Sequence, residues 1–315
     1  MKVGNRSMQI IKETTEFMLP GKSAVAIGKF DGIHLGHQKL LEKITEQKKN
    51  GLLAVVFTFS PAPEAFFSGK ETKGLMSIEE KRAAFKKAGI DILIEFPLNK
   101  ETAATEPERF VEEYLVGKLK AAFIAAGTDL SFGKKGAGDA ALLKRMAESS
   151  GYRVELIEKV SVAGEEVSST IVREAVEKGD MEKAQALLGV PYSINGIVSH
   201  GRKLGRKMGM PTLNLLPAEE KLLPPNGVYY SRVLLAGKRY PGISNVGYKP
   251  TVSDTCVMGV ETYLYAFDED AYGREITVEL LGFKRPEMKF EGTEALKEQV
   301  QRDIEEGAAF HKKVK

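Results

Sequence analysis

Read as a string of apolar and polar positions, the chain changes texture once. Up to about residue 190, short apolar runs alternate with segments whose apolar residues recur every three or four positions. Ala24-Val25-Ala26-Ile27 suits a buried parallel strand, and Leu40, Leu41 and Ile44 follow at helical spacing until the stop signal Asn50-Gly51. Leu52 to Phe59 is a second strand, ended by Ser60-Pro61-Ala62-Pro63. Ile78 to Ala88 predicts a helix closed by Gly89, and Ile90 to Phe96 another strand. Pro107 to Leu119 carries Phe110, Val111, Tyr114, Leu115 and Leu119 on one helical side, and Ala121 to Ala126 returns to strand. Such alternation predicts a parallel α/β sheet. A helix then runs from Ser169-Thr170 to Gly179-Asp180, and Met181 to Leu188 forms a short last one. Gly189-Val190-Pro191 marks the expected boundary, dividing the chain into residues 1–188 and 189–315.

Beyond Pro191 the runs shorten and become aromatic and β-branched. Ser193 to His200, Gly227 to Leu235, Val257 to Phe267 and Glu275 to Phe283 are separated by turns such as Ala236-Gly237-Lys238 and Asp268-Glu269-Asp270. These predict a small closed antiparallel β-barrel. One helix from about Thr293 to Lys312 follows, with Leu296, Val300, Ile304 and Phe310 as its apolar contacts.

Composition narrows the function classes. At 315 residues, 43% hydrophobic and 28% charged, the chain has room for two cores. A net charge of +3 is too small to argue for nucleic acid, and no apolar stretch approaches a membrane span. The start MKVGNRSMQIIKE has no long apolar leader region, and the single Cys256 rules out an internal disulfide framework. A cytoplasmic protein is expected. Oligomeric state is not legible.

The chemistry concentrates at Gly28-Lys29-Phe30-Asp31-Gly32-Ile33-His34-Leu35-Gly36-His37, between the first strand and its helix. At that position a helix N-terminus offers free N–H groups to an anion, and phosphate is the natural guest. Two of the chain's four histidines lie here, three residues apart, each able to donate to phosphate oxygens. Neither has acidic, cysteine or histidine neighbours at a zinc-ligand spacing. Gly127-Thr128-Asp129-Leu130-Ser131-Phe132-Gly133 places a carboxylate at a strand end, suited to a ribose or simply to a Gly-rich turn. In Ser168-Ser169-Thr170-Ile171-Val172-Arg173 the hydroxyls fit a helix cap, and Thr170 with Arg173 also fits a triphosphate.

In the second half, Gly201-Arg202-Lys203-Leu204-Gly205-Arg206-Lys207-Met208-Gly209-Met210-Pro211-Thr212-Leu213-Asn214 interleaves four basic residues with glycines, a loop able to wrap a polyphosphate. Thr212 and Asn214, two apart on a strand, present oxygens to one face, a donor type that suits Mg²⁺ beside a nucleotide. Glu261 stands in an otherwise apolar strand, and alternation alone does not exclude that it is simply a charge on the outward face.

These motifs resemble, in order, those of the bacterial bifunctional riboflavin kinase/FMN adenylyltransferase (FAD synthetase) family. The resemblance implies a Rossmann-like HxGH nucleotidyltransferase domain followed by a riboflavin kinase barrel, with riboflavin, FMN and ATP as substrates, Mg²⁺ as cofactor, and neither nucleic acid nor membrane as partner. It assigns His34 and His37 to catalysis of adenylyl transfer, and Gly28, Phe30, Asp31, Gly36, Gly127, Asp129, Ser169, Thr170 and Arg173 to its ATP. For the kinase it assigns Gly201, Arg202, Lys203, Gly205, Arg206, Gly209 and Pro211 to ATP, and Thr212 and Asn214 to the metal-nucleotide. Glu261 becomes the base for the ribityl hydroxyl, and Asn245 and Arg285 fall on the flavin side; Arg285 also reads as a surface ion-pair partner. Ala62, where the family commonly has histidine, and Leu130 and Ser131, where it has aromatic and basic residues, are departures. They motivate an alternative: a riboflavin kinase or flavin-binding regulator with a weakened front half. His-Leu-Gly-His also resembles the ATP motif of aminoacyl-tRNA ligases, although no tRNA-binding appendage is apparent. There is no Gly-x-x-x-x-Gly-Lys-Ser/Thr loop.

Overall fold

The computed structural model describes residues 7–199, 209–250 and 256–313. The chain forms two compact units, Met1–Ser168 and Ser169–Lys315. In the first, the elements are β1 (Gln9–Lys12), β2 (Ser23–Ile27), α1 (Leu35–Glu46), β3 (Leu53–Ser60), α2 (Pro63–Ser68), α3 (Ile78–Lys87), β4 (Ile92–Pro97), α4 (Pro107–Arg109), β5 (Ala121–Gly127), the short pair β6 (Ser131–Phe132) and β7 (Gly138–Asp139), α5 (Ala140–Ser150), β8 (Arg153–Ile157), and the ribbon of β9 (Ser161–Val162) and β10 (Glu165–Glu166). The main sheet has the order β1-β4-β3-β2-β5-β8, and its strands are parallel.

The central strand β2 is buried along its whole length because both of its faces are covered. Val25 and Ile27 join Phe57, Ile94 and Leu115 on one side, while Ala24 and Ala26 face Leu40, Leu41, Ile44 and Phe85 on the other. Full burial of an aliphatic or Phe side chain contributes roughly 1.5–3 kcal/mol, which explains why this strand reads as a continuous apolar run. The chain passes from β2 to β3 and β4 on one side and reaches β5 and β8 on the other, so the carboxyl end of β2 is the topological switch point. One local difference from the sequence reading concerns Phe110–Lys118, which is π-helical rather than α-helical. Leu119 N–H donates to the Tyr114 carbonyl at 2.8 Å. The wider turn buries Phe110, Val111, Tyr114 and Leu115 together, with the Tyr114 ring 4.8 Å from Phe96.

The second unit contains α6 (Ser169–Lys178), α7 (Met181–Leu188), β11 (Tyr192–Ser199), β12 (Thr212–Leu215), β13 (Gly227–Leu235), β14 (Lys238–Pro250), β15 (Cys256–Leu264), β16 (Glu275–Pro286) and a C-terminal helix, Thr293–Lys313. Six strands close a barrel in the order β11-β12-β15-β14-β13-β16. Val233, Val246, Val260, Val278 and Leu280 are fully buried, as is a hydroxyl chain in which Ser244 Oγ lies 2.7 Å from both Ser231 Oγ and Thr262 Oγ1. Alternate residues of the same strands therefore face outward. Ile304 of the C-terminal helix covers part of that outer face, packing with Val228 and Ile243. The two helices α6 and α7, expected with the front module, lie in this unit. Met181, Ala184, Leu187 and Leu188 supply the buried face of α7, which packs on β11 and β16.

Candidate active site

The loop after β2 is held in an unusual backbone path. Phe30, Gly32 and Ile33 all have positive φ, at 52°, 84° and 46°. For a β-branched residue this is costly, and such strain persists only where the surroundings impose it. Phe30 supplies the anchor: its ring is fully buried, edge-on to Phe85 at 5.4 Å and 4.9 Å from the His37 ring. Gly28 N–H donates to the Phe57 carbonyl, and Thr58 Oγ1 to the Lys29 carbonyl, tying the loop to β3. Asp31 accepts from Leu75 N–H at 2.7 Å, so it holds the segment leading into α3.

His34 is the N-cap of α1, and its Nδ1 accepts from the His37 N–H at 3.4 Å. That bond assigns the ring proton to Nε2, leaving an N–H donor. The two imidazoles stack with centroids 3.8 Å apart. Burial lowers the His34 pKa from 6.5 to about 4, with the Asp129 charge opposing. Burial, His34 and Lys81 together push His37 well below its ordinary value. Both rings are therefore neutral donors near pH 7. The His37 Nδ1 is buried without a hydrogen-bond partner among the described residues. Gly36 makes the stacking feasible, because a Cβ there would lie 3.2 Å from the His34 ring.

At the end of the adjacent strand β5, a Cβ on Gly127 would come within 2.8 Å of Asp129 Oδ1. Asp129 is exposed, 4.0 Å from Lys159 Nζ, and close enough to influence His34. Of the departures, Ala62 is the N-cap of α2 with no side-chain bond, Leu130 packs on the core, and Ser131 is exposed. Ser169, Thr170 and Arg173 stand in the first turns of α6, with Thr170 exposed and Arg173 half-buried. Sequence reasoning missed Lys81, on α3 beside this site. Its signal was a lysine directly after the Ser77–Glu80 capping box, where the helix dipole disfavours a cation.

In the barrel, antiparallel register sets one row of polar residues. Asn214 of β12 and Asn245 of β14 both pair directly with Glu261 of β15. Thr212, two residues from Asn214, donates to Glu261 Oε1 at 2.5 Å. Thr212, Asn214, Asn245 and Glu261 are all half-buried, on the outward face of the barrel. The structure places Glu261 on the outward face, among these polar side chains. The row continues through Val228, paired with Asn245, to Arg285. Arg285 is held elsewhere: Nε and Nη2 donate to Asp303 of the C-terminal helix, and Nη1 to the Pro286 carbonyl. In this state it is the ion-pair partner, anchoring the helix. Pro211 lines a cleft of about 510 Å³ with Tyr263, Leu264, Ala266, Phe267 and Asp268. Gly209 has φ +77° in the turn before it. Gly201, Arg202, Lys203, Gly205 and Arg206 lie outside the described residues.

Among the described residues no group of three or more His, Cys, Asp or Glu is arranged for a metal ion. The hydroxyl and amide oxygens of Thr212 and Asn214 are nevertheless hard donors of the kind that suits a Mg²⁺ beside nucleotide phosphates. No helix of the described residues is long and apolar enough to cross a membrane.

Comparison with known proteins covers both units. The FAD synthetase family matches residues 17–171 and the riboflavin kinase family residues 188–311. A protein of Listeria monocytogenes described as bifunctional riboflavin kinase/FMN adenylyltransferase is 35% identical over 304 residues, 96% of each chain. Proteins of the same description from Bacillus subtilis and Escherichia coli K12 are 36% and 35% identical, covering 92% of both chains in the first case and 89% of this chain and 90% of the relative in the second. A solved chain from Streptococcus pneumoniae, described as a macrolide-efflux protein, superposes with a TM-score of 0.83 at 28% identity over 95% of this chain and 98% of its own. Nothing in these comparisons favours a regulator with a decayed front half. The chain belongs to the bifunctional riboflavin kinase/FMN adenylyltransferase family.

Proposed function

We propose that this chain phosphorylates riboflavin to FMN with ATP and then joins FMN to the adenylyl group of a second ATP, giving FAD and pyrophosphate. In the barrel, Glu261 accepts the proton of the ribityl hydroxyl as its oxygen bonds to the γ-phosphorus and ADP leaves. Phosphoryl transfer asks for this positioned base and otherwise for electrostatic support. A Mg²⁺ at the Thr212 and Asn214 oxygens would supply charge neutralisation for the nucleotide phosphates. Asn245, across from Glu261, orients the flavin side, and Pro211 with its cleft receives the nucleotide. Gly201, Arg202, Lys203, Gly205, Arg206 and Gly209 form the backbone and cations of the phosphate loop.

In the front unit an FMN phosphate oxygen attacks the α-phosphorus of ATP, and the bond to pyrophosphate breaks. No protein nucleophile is needed. His34 and His37, neutral at working pH, donate N–H bonds to phosphate oxygens as charge develops. The backbone of Gly28, Phe30 and Gly36 admits the nucleotide closely, Asp31 fixes the loop beside it, and Gly127 with Asp129 accepts from the ribose.

The observation that supports this reading best is the Thr212–Glu261–Asn214 cluster: a carboxylate at hydrogen-bond distance from a hydroxyl and directly opposite an amide, on one face. Incubation with riboflavin, ATP and Mg²⁺, with chromatographic separation of FMN from FAD, tests it. Formation of both products is expected; formation of neither overturns it.

A further inference from the structure

We propose that Lys81 is an additional phosphate-binding residue of the adenylyl-transfer site, supplying the positive charge that its two imidazoles lack. The inference rests on the adenylyltransferase reading given above. Lys81 lies in the first turns of α3, one residue past the Ser77–Glu80 capping box, and its Nζ reaches the Lys29 carbonyl in the motif loop at 3.5 Å. That distance is at the limit of a hydrogen bond.

Among the described residues Lys81 forms no ion pair. The nearby carboxylates are engaged elsewhere: Glu95 accepts two bonds from Arg82, and Asp31 accepts from the Leu75 N–H. Lys81 is partly buried, and burial lowers its pKa while Asp31 and Glu95 raise it and Arg82 lowers it. Asp31 and Glu95 offset only part of the cost of drawing this cation out of water and holding it near the positive end of a helix. An anion arriving with substrate resolves both costs.

The location identifies that anion. Lys81 is close enough to His37 to depress its pKa, and the His37 Nδ1 is buried with no partner. Imidazole and ammonium are therefore electrostatic neighbours, beside the N-terminus of α1, a kind of position that favours phosphate. The ligand is a substrate phosphate, contributed either by the polyphosphate of ATP or by FMN.

Lys81→Met, Lys81→Gln and Lys81→Arg variants of the full chain test the assignment, with riboflavin phosphorylation by the barrel as the internal control for folding. Glutamine keeps a polar N–H donor at this position but carries no charge. The expected result is a roughly hundredfold loss of FMN adenylylation in both the Met and Gln variants. Arg should restore much of it, and FMN formation from riboflavin should be unchanged. A raised KM for ATP, with weaker use of pyrophosphate in the reverse reaction, identifies the polyphosphate; a raised KM for FMN alone identifies the flavin phosphate. Wild-type adenylylation in the Gln variant reduces Lys81 to a structural donor and overturns the proposal, as does wild-type activity in the Met variant. Absence of FAD formation by the unmodified chain would instead remove the adenylyltransferase reading itself.

Discussion

Thr212 Oγ1 donates to Glu261 Oε1 at 2.5 Å, from the edge of one barrel strand to the middle of the next. This bond orients the carboxylate toward the side of the sheet where Asn214 and Asn245 flank it. Glu261→Gln keeps the shape but cannot accept a proton. It is expected to abolish FMN formation from riboflavin while FAD synthesis from supplied FMN continues. Product chromatography with each substrate in turn checks this, and joint loss of both activities would contradict independent sites.

His37→Ala removes one N–H donor from the front site. Loss of a single preorganised donor typically costs 10²–10³-fold in rate, so FMN adenylylation should fall by roughly that factor. Riboflavin phosphorylation should not change. An unaltered adenylylation rate would exclude the imidazole from the reaction.

Gly36→Ala separates activity from stability. Alanine is the better helix former by about 1 kcal/mol, yet its methyl would press on the His34 ring, 3.2 Å away. The variant should unfold no more easily than the parent in urea while adenylylation drops at least tenfold. Retained activity would show that the His34 ring can move without consequence.

His34 also gives the front unit an acid sensitivity. Its pKa falls from 6.5 in the unfolded chain to about 4 in the folded one. Between those values the unfolded chain binds a proton that the folded chain does not, so stability present above about pH 6.5 is lost as the pH falls toward 4. The linkage amounts to about 2 kcal/mol between pH 7 and pH 5. Urea titrations at the two pH values should show this loss in the parent and a smaller one in His34→Gln.

Asp303 is buried and receives bonds from Arg285, Gln299 and Lys284. Burial opposes its ionisation, but these donors hold its carboxyl below the usual range. Asp303→Ala leaves two cations without their shared partner. Breaking a buried pair by removing one member costs about 3–5 kcal/mol, and the barrel unit should be destabilised by that order in thermal or urea unfolding.

The parallel sheet and barrel were legible because β2, β3, β4 and β5 are buried on both faces and β13 alternates. By contrast β1, a four-residue edge strand with only Ile11 half-buried, carries too little apolar pattern to be seen. The π-helical turn at Phe110–Lys118 was hidden because its apolar positions also satisfy an α-helix. For the sites, His34, His37, Thr212 and Asn214 were visible as local motifs. The neighbours Lys81 and Asp303 were not, since their positions depend on how α3 and the C-terminal helix pack, which spacing along the chain does not encode. Arg285 shows the converse, a residue with two readings in sequence whose partner becomes evident only in three dimensions.

The barrel strands carry two messages at once. Ser231, Ser244, Val246, Val260 and Thr262 fill the inside, and the intervening Asn245 and Glu261 face out. Alternate positions of β14 and β15 therefore do different work, one set holding the cylinder shut and the other presenting polar groups outside it. Every second residue of β14 and β15 can therefore change without disturbing the packing of the cylinder beneath.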